Sequence, residues 1–197
     1  MSAKQKILDT AAKLFYERGV NSTGIDLIIA QANVAKASLY NNFESKEHLV
    51  AKYLEMLRLK FEERLATAVS VRGRTVAVPF DLLEEIVVEG EFFGCPFTNA
   101  LTELPDSKLV KAEVTRYRDV VMNYFAGVAT TEVVPQLMLV YDGVFTSCKL
   151  DPDRTSVVVA RRLAQSLVDR FPSDPLHATR GSVACTAVVG SHETHSS

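Results

Sequence analysis

Short polar and cationic side chains between residues 23 and 46 carry the recognisable chemistry of this chain. Lys36, Ser38, Asn41 and Asn42 fall within seven residues, with Thr23 before them and Lys46 after. An ammonium group reaches a phosphate or the edge of guanine, a carboxamide pairs with adenine, and a hydroxyl bonds either one. Ala35 and Ala37 lie among them. Such small residues let a backbone approach a duplex closely and offer an apolar contact to a thymine methyl. Thr23 and Lys46 are expected to clamp backbone phosphates, assisted by the amides of helix N-termini. These residue types at this spacing suit the reading of double-stranded DNA.

The elements needed to hold them are legible in the pattern of apolar residues. Ile7, Leu8, Ala11, Leu14 and Phe15 repeat at helical spacing over 3–18, and Gly19 is expected to end that helix as a left-handed cap. A second helix is expected over 24–32, with Ser22 or Thr23 near its start. Asn33 sits at a turn that requires positive φ. A third follows over 35–43, with Leu39 and Phe43 turned to the core. Ser45 caps a fourth, which runs over 46–69. Two short helices joined by a tight turn form a helix-turn-helix, which places its second helix in the major groove.

Beyond a loop at 70–78, further helices are expected from Pro79, over 96–104, and from a cap at Asp106 or Ser107 to Gly127. An eighth is expected over 132–150, capped by Thr131. A ninth restarts at Asp151-Pro152-Asp153 and runs to 171. The fold expected is all-α, with about nine helices. It divides into a DNA-binding head over 1–47, a ligand-binding and dimerisation body over 48–171, and a disordered tail over 172–197 in which the apolar stretch 183–189 has no explanation.

Charge distribution agrees with contact to phosphate at one end. Residues 1–60 hold nine Lys/Arg against six Asp/Glu, whereas the remainder holds thirteen against eighteen. The start of the chain does not read as a secretory signal, and no apolar run approaches the roughly 18 residues of a membrane span. Cys95, Cys148 and Cys185 are odd in number and far apart. They read as reduced thiols of a cytoplasmic protein. The four histidines, His48, His177, His192 and His195, complete no hydrolytic triad and no HExxH zinc motif, and no phosphate-loop glycine run is present. Neither an enzyme nor a bound cofactor or metal is expected.

Several of these segments together resemble the TetR/AcrR family of bacterial regulators. They are the AAxLFxxxG pattern at 11–19, TGI at 23–25, ANVAKASLYNNF at 32–43 and SKEHL at 45–49. More weakly, GCPFTNALTELPD at 94–106 and LMLVYDGVFTSCKLDPD at 137–153 are similar to segments of some members. Ile29 and Gly24 depart from the small residue and the Ser/Thr frequent there. The resemblance implies that Tyr40 binds phosphate, and that a homodimer grips a palindromic operator and is released by a small organic effector.

One recognition helix reads too few bases for tight binding, so pairing of subunits is expected. The eighth and ninth helices offer apolar faces for it: Tyr141, Val144 and Phe145 on one, Val157, Ala160, Leu163, Ala164 and Leu167 on the other. The pocket is expected among the fifth to seventh helices, lined by Phe92, Phe93, Phe97, Tyr117, Val121, Met122, Tyr124, Phe125 and Tyr141. Glu84, Glu85, Glu89 and Glu91 would supply carboxylates, which suits a flat or cationic ligand. Ligand binding is expected to tilt the fourth helix and spoil the roughly 34–36 Å spacing of the two recognition helices. The alternative is a thiol switch at Cys95.

Overall fold

The structure, a computed structural model, describes residues 1–90, 92–151 and 154–171. The described residues form helices and no strand: α1 (Ala3–Arg18), α2 (Ile25–Ala32), α3 (Lys36–Asn42), α4 (Lys46–Arg72), α5 (Val78–Glu89), α6 (Pro96–Glu103), α7 (Lys108–Ala126), α8 (Val134–Leu150) and α9 (Thr155–Arg170). The expected tail, with Cys185, three of the histidines and the stretch 183–189, lies outside the described residues, as do Glu91 and the Pro152-Asp153 pair.

The head is built on α1. Ser2 caps it by accepting from the Gln5 N–H at 3.2 Å, and Ile7, Ala11, Leu14 and Phe15 are its buried face. That face packs against α2, α3 and α4, where Ile28, Leu39, Phe43, Leu49 and Val50 are almost wholly enclosed. Each such side chain contributes about 1.5–3 kcal/mol of burial. Gly19 departs from the expected left-handed cap. Its φ is 86° but its ψ is 160°, a conformation open only to glycine, and an added Cβ would lie 2.9 Å from Glu103 Oε1.

Other termini follow their sequence signals. Asn33 holds φ 51° and ψ 56° and closes α2, and Gly24 stands at the N-cap of that helix with no side-chain cap. Ser45 caps α4 by accepting from the His48 N–H at 3.0 Å, and Ser107 rather than Asp106 caps α7. Pro79 and Pro96 stand in the first turns of α5 and α6, where the missing N–H is not needed. Two boundaries differ. The last turn of α4 runs on to Arg72, shortening the expected loop, and α8 starts at Val134 with no side-chain cap from Thr131. Asp151 closes α8 through its N–H to Ser147 O, and Arg154 stands at the N-cap of α9.

Helix α4 is the spine shared by head and body. It packs against α1 at one end and against α5 and α7 further along. Its junction with α7 holds a buried ion cluster: the Glu113 carboxylate accepts from Arg58 Nε at 3.2 Å and pairs with Arg116 on its own helix. The body core centres on Phe80, whose ring meets Tyr141 edge-on at 5.6 Å and lies 6.1 Å from Phe125. Helices α8 and α9 pack against each other, and Leu137, Val144, Val157, Ala160 and Ala164 on them are buried.

Candidate nucleic-acid interface and body cavity

Helix α3 presents one face to the outside. Ala35, Lys36, Ala37 and Asn41 are exposed, Tyr40 is 51% exposed, and Ser38 is half-buried. Leu39 and Phe43 point the opposite way into the core, so α3 is anchored by two side chains and free along the rest of its circumference. Lys36 Nζ lies 3.2 Å from Asp26 Oδ1 on α2, and this hydrogen bond holds the ammonium above its usual pKa. Asn42 donates through Nδ2 to Ser38 O at 2.7 Å, which stiffens the last turn of α3. Lys46, at the first turn of α4, is half-buried; burial lowers its pKa against the pull of Glu103.

Thr23 corrects an expectation. Its side chain is fully enclosed, and Oγ1 lies 2.8 Å from Gly19 O and 3.3 Å from Leu14 O. The hydroxyl fastens the α1–α2 loop to the end of α1 and is not presented to a phosphate.

The same loop is gripped from the body. Glu103, the last residue of α6, accepts from the backbone N–H of Val20 at 3.0 Å and of Asn21 at 2.6 Å, and its carbonyl accepts from Asn21 Nδ2. The close approach at Gly19 leaves room for this carboxylate.

A cavity of about 500 Å³ opens within the body. Four of the expected wall residues line it: Phe92, Phe97, Tyr117 and Tyr141. Phe97 and Tyr117 stack with ring centroids 3.9 Å apart. Phe145, expected between subunits, lines it too, stacked on Phe92 at 6.1 Å. The other expected residues stand elsewhere. Val121 and Phe125 are core, Tyr124 donates to Thr75 O at 2.8 Å, Met122 is exposed, and Phe93 packs edge-on against Tyr16. Much of the rest of the wall comes from α1 and α4: Asp9, Ala12, Tyr16 and Glu17 on α1; Tyr53, Met56, Leu57, Lys60 and Phe61 on α4, of which Tyr53, Leu57 and Phe61 belong to the helical apolar repeat; Leu82, Leu83 and Ile86 of α5 and Pro96 of α6 add to it. A helical repeat marks a face as apolar without saying whether it meets a neighbour or a void.

Two of the expected carboxylates serve elsewhere. Glu84 accepts from Arg154 at 2.7 Å and Arg161 at 3.2 Å, and Glu85 accepts from Arg64 and Arg72 at 2.8 and 3.2 Å. Cys95 is partly buried, and burial pushes its thiol up, which opposes formation of a reactive thiolate.

Of the residues expected between subunits, Tyr141, Val144, Val157, Ala160 and Ala164 are buried within one chain, and Leu167 is half-buried. Leu163 is exposed. With it stand Val159 on α9, and Leu139 and Leu150 on α8, the last two more than 70% exposed.

The fold and the exposed α3 face together define a helix-turn-helix protein with a cavity-bearing helical body. Residues 7–53 match the pattern of the family described as bacterial regulatory proteins, tetR family. Over 52 residues the chain is 42% identical to the biofilm operon negative transcriptional regulator IcaR of Staphylococcus epidermidis. That match spans 26% of this chain and only 28% of the length of that curated relative. A TetR-family transcriptional regulator from Streptomyces coelicolor has the same fold, with a TM-score of 0.79 and 24% identity over 87% of this chain and 90% of that one. The multidrug binding protein EbrR, complexed with malachite green, superposes with a TM-score of 0.70 at 18% identity, over 83% of this chain and 96% of EbrR. Residues 7–53 thus resemble the DNA-binding head of the TetR family, and the chain as a whole shares the fold of its solved members.

Proposed function

We propose that this chain is a repressor that binds a two-fold symmetric operator as a homodimer and lets go when a small organic molecule fills the body cavity. The observation that carries the reading is the composition of the cavity wall: much of it is α1 and α4, the two helices on which the head is built. A ligand that prefers a different setting of those helices shifts the head by the same free energy. The likeness of the head to IcaR, a negative regulator, and of the fold to EbrR, which holds a dye, supports the two halves of the reading.

The DNA contacts assigned are Lys36, Ser38, Tyr40 and Asn41 along α3, with Ala35 and Ala37 allowing close approach, and Lys46 at the N-terminus of α4. Asn42 braces α3. The head comprises 1–47 and the sensing and pairing body 48–171. Subunits pair through Leu139, Gly143 and Leu150 of α8, which share one face, and Val159 and Leu163 of α9. No Cβ stands at Gly143, and nothing lies within 4 Å of where one would be, so a partner helix can approach closely there.

The test is footprinting and mobility shift on the DNA upstream of the coding region, across a salt series. A protected palindrome with affinity falling steeply as salt rises is expected. Lys36→Ala should weaken binding and make the salt slope shallower, with unfolding unchanged because the side chain is exposed. Absence of protection, both there and across a library of genomic fragments, overturns the reading.

A further inference from the structure

The cavity that the proposed repressor would use carries a surplus of hydrogen-bond donors. Four tyrosines line it: Tyr16, Tyr53, Tyr117 and Tyr141. Tyr117 and Tyr141 share one bond, O to O at 3.1 Å, and whichever phenol accepts keeps a proton with no acceptor. Tyr16 uses its oxygen to accept from the Phe93 N–H at 3.2 Å, so its own proton is also unplaced among the described residues. Tyr53 is 3% exposed, and its hydroxyl has no hydrogen-bond partner among the described residues. Burial raises all four phenols above their usual pKa, so they stay protonated and remain donors at neutral pH.

Charged groups occupy a different part of the wall. Asp9, Lys13, Glu17 and Lys60 are exposed on α1 and α4, Lys13 and Glu17 approach each other at 3.9 Å, and half-buried Arg64 is already paired with Glu85 at 2.8 Å. No buried carboxylate faces the cavity among its lining residues. A buried cation would therefore meet donors where it needs acceptors. Stacked Phe97 and Tyr117, with Phe61 edge-on to Tyr117 at 5.4 Å, shape an aromatic interior.

Building on the proposed function, we infer that the effector is a flat, uncharged aromatic bearing carbonyl-type oxygens, which accept from these phenols. Apolar rings fill the aromatic interior, and each oxygen satisfies a donor that would otherwise be stranded when water is displaced. A ligand without acceptors forfeits roughly three- to tenfold in affinity per stranded donor.

The test is fluorescence titration of the full chain, without DNA, using two three-ring probes. Acridone is neutral and carries one carbonyl; proflavine is a cation at neutral pH and offers donors on its amino groups. Acridone is expected to bind at least tenfold more tightly. Tyr53→Phe and Tyr117→Phe should each weaken acridone about three- to tenfold while leaving proflavine unchanged. A Phe variant that lowers both affinities alike, or leaves both alone, overturns the donor role, as does proflavine binding as tightly as acridone. If neither probe binds the folded chain, the cavity reading under the proposed function falls with it. Operator binding measured separately shows whether the DNA half survives.

Discussion

Thr23 shows how a single residue can carry the right chemistry in the wrong place. Its type and position suit a phosphate contact, yet its hydroxyl is enclosed against Gly19 O and Leu14 O. Sequence reveals that a threonine precedes a helix; which way its Cβ points depends on the path of the loop, and Glu103 of a distant helix sets that path. Thr23→Val should remove the bond to Gly19 O and lower stability by about 1 kcal/mol in thermal unfolding, whereas Thr23→Ser should not. Operator affinity of the folded Val variant should stay near that of the parent, since no DNA contact is removed. Asn33 is the opposite case. The left-handed turn asked for a residue tolerant of positive φ, and Asn33 adopts φ 51°.

Among the elements, α6 and α4 carry the link between cavity and head. Pro96 and Phe97 at one end of α6 line the cavity, while Glu103 at the other holds the loop between α1 and α2. Glu103→Ala should leave effector affinity within about twofold but raise the effector concentration needed to release DNA, as read by mobility shift against ligand titration. Glu113→Gln, by contrast, should act on stability. It leaves the Arg58 guanidinium, 14% exposed, facing an uncharged group where α4 meets α7, at a cost of about 1–3 kcal/mol in denaturant unfolding. Helix boundaries were legible wherever a side chain makes the cap, as at Ser45 and Ser107, or a proline opens a first turn, as at Pro79 and Pro96. The start of α8 was not, because only backbone closes the turn before it. The α3 face was readable because Leu39 and Phe43 fix its rotation. The cavity was misread, since Tyr53, Leu57 and Phe61 carry the same apolar signal as true core.

For the whole molecule, the apolar residues left bare on α8 and α9 demand a partner if the operator is two-fold. Leu139→Glu with Leu163→Glu should give a monomer in sedimentation and abolish tight binding to a palindrome while leaving the helical content intact, because both side chains are exposed in one chain. Acid should loosen the body through Glu85. Hydrogen bonds from Arg64 and Arg72 hold its carboxyl below the usual 4.5. The folded chain thus binds fewer protons than the unfolded one in that range. The stability Glu85 supplies is present above about pH 4.5 and fades as pH falls through its lowered value; the unfolding midpoint of Glu85→Gln should depend less on pH between 5 and 3. Finally, the ion pair between Lys36 and Asp26 has a kinetic meaning. If Lys36 contacts DNA as proposed, the pair must open for each contact, and Asp26 opposes nearby phosphates; a site that does not draw the lysine away should then be left quickly, letting the protein sample more of a genome in the same time.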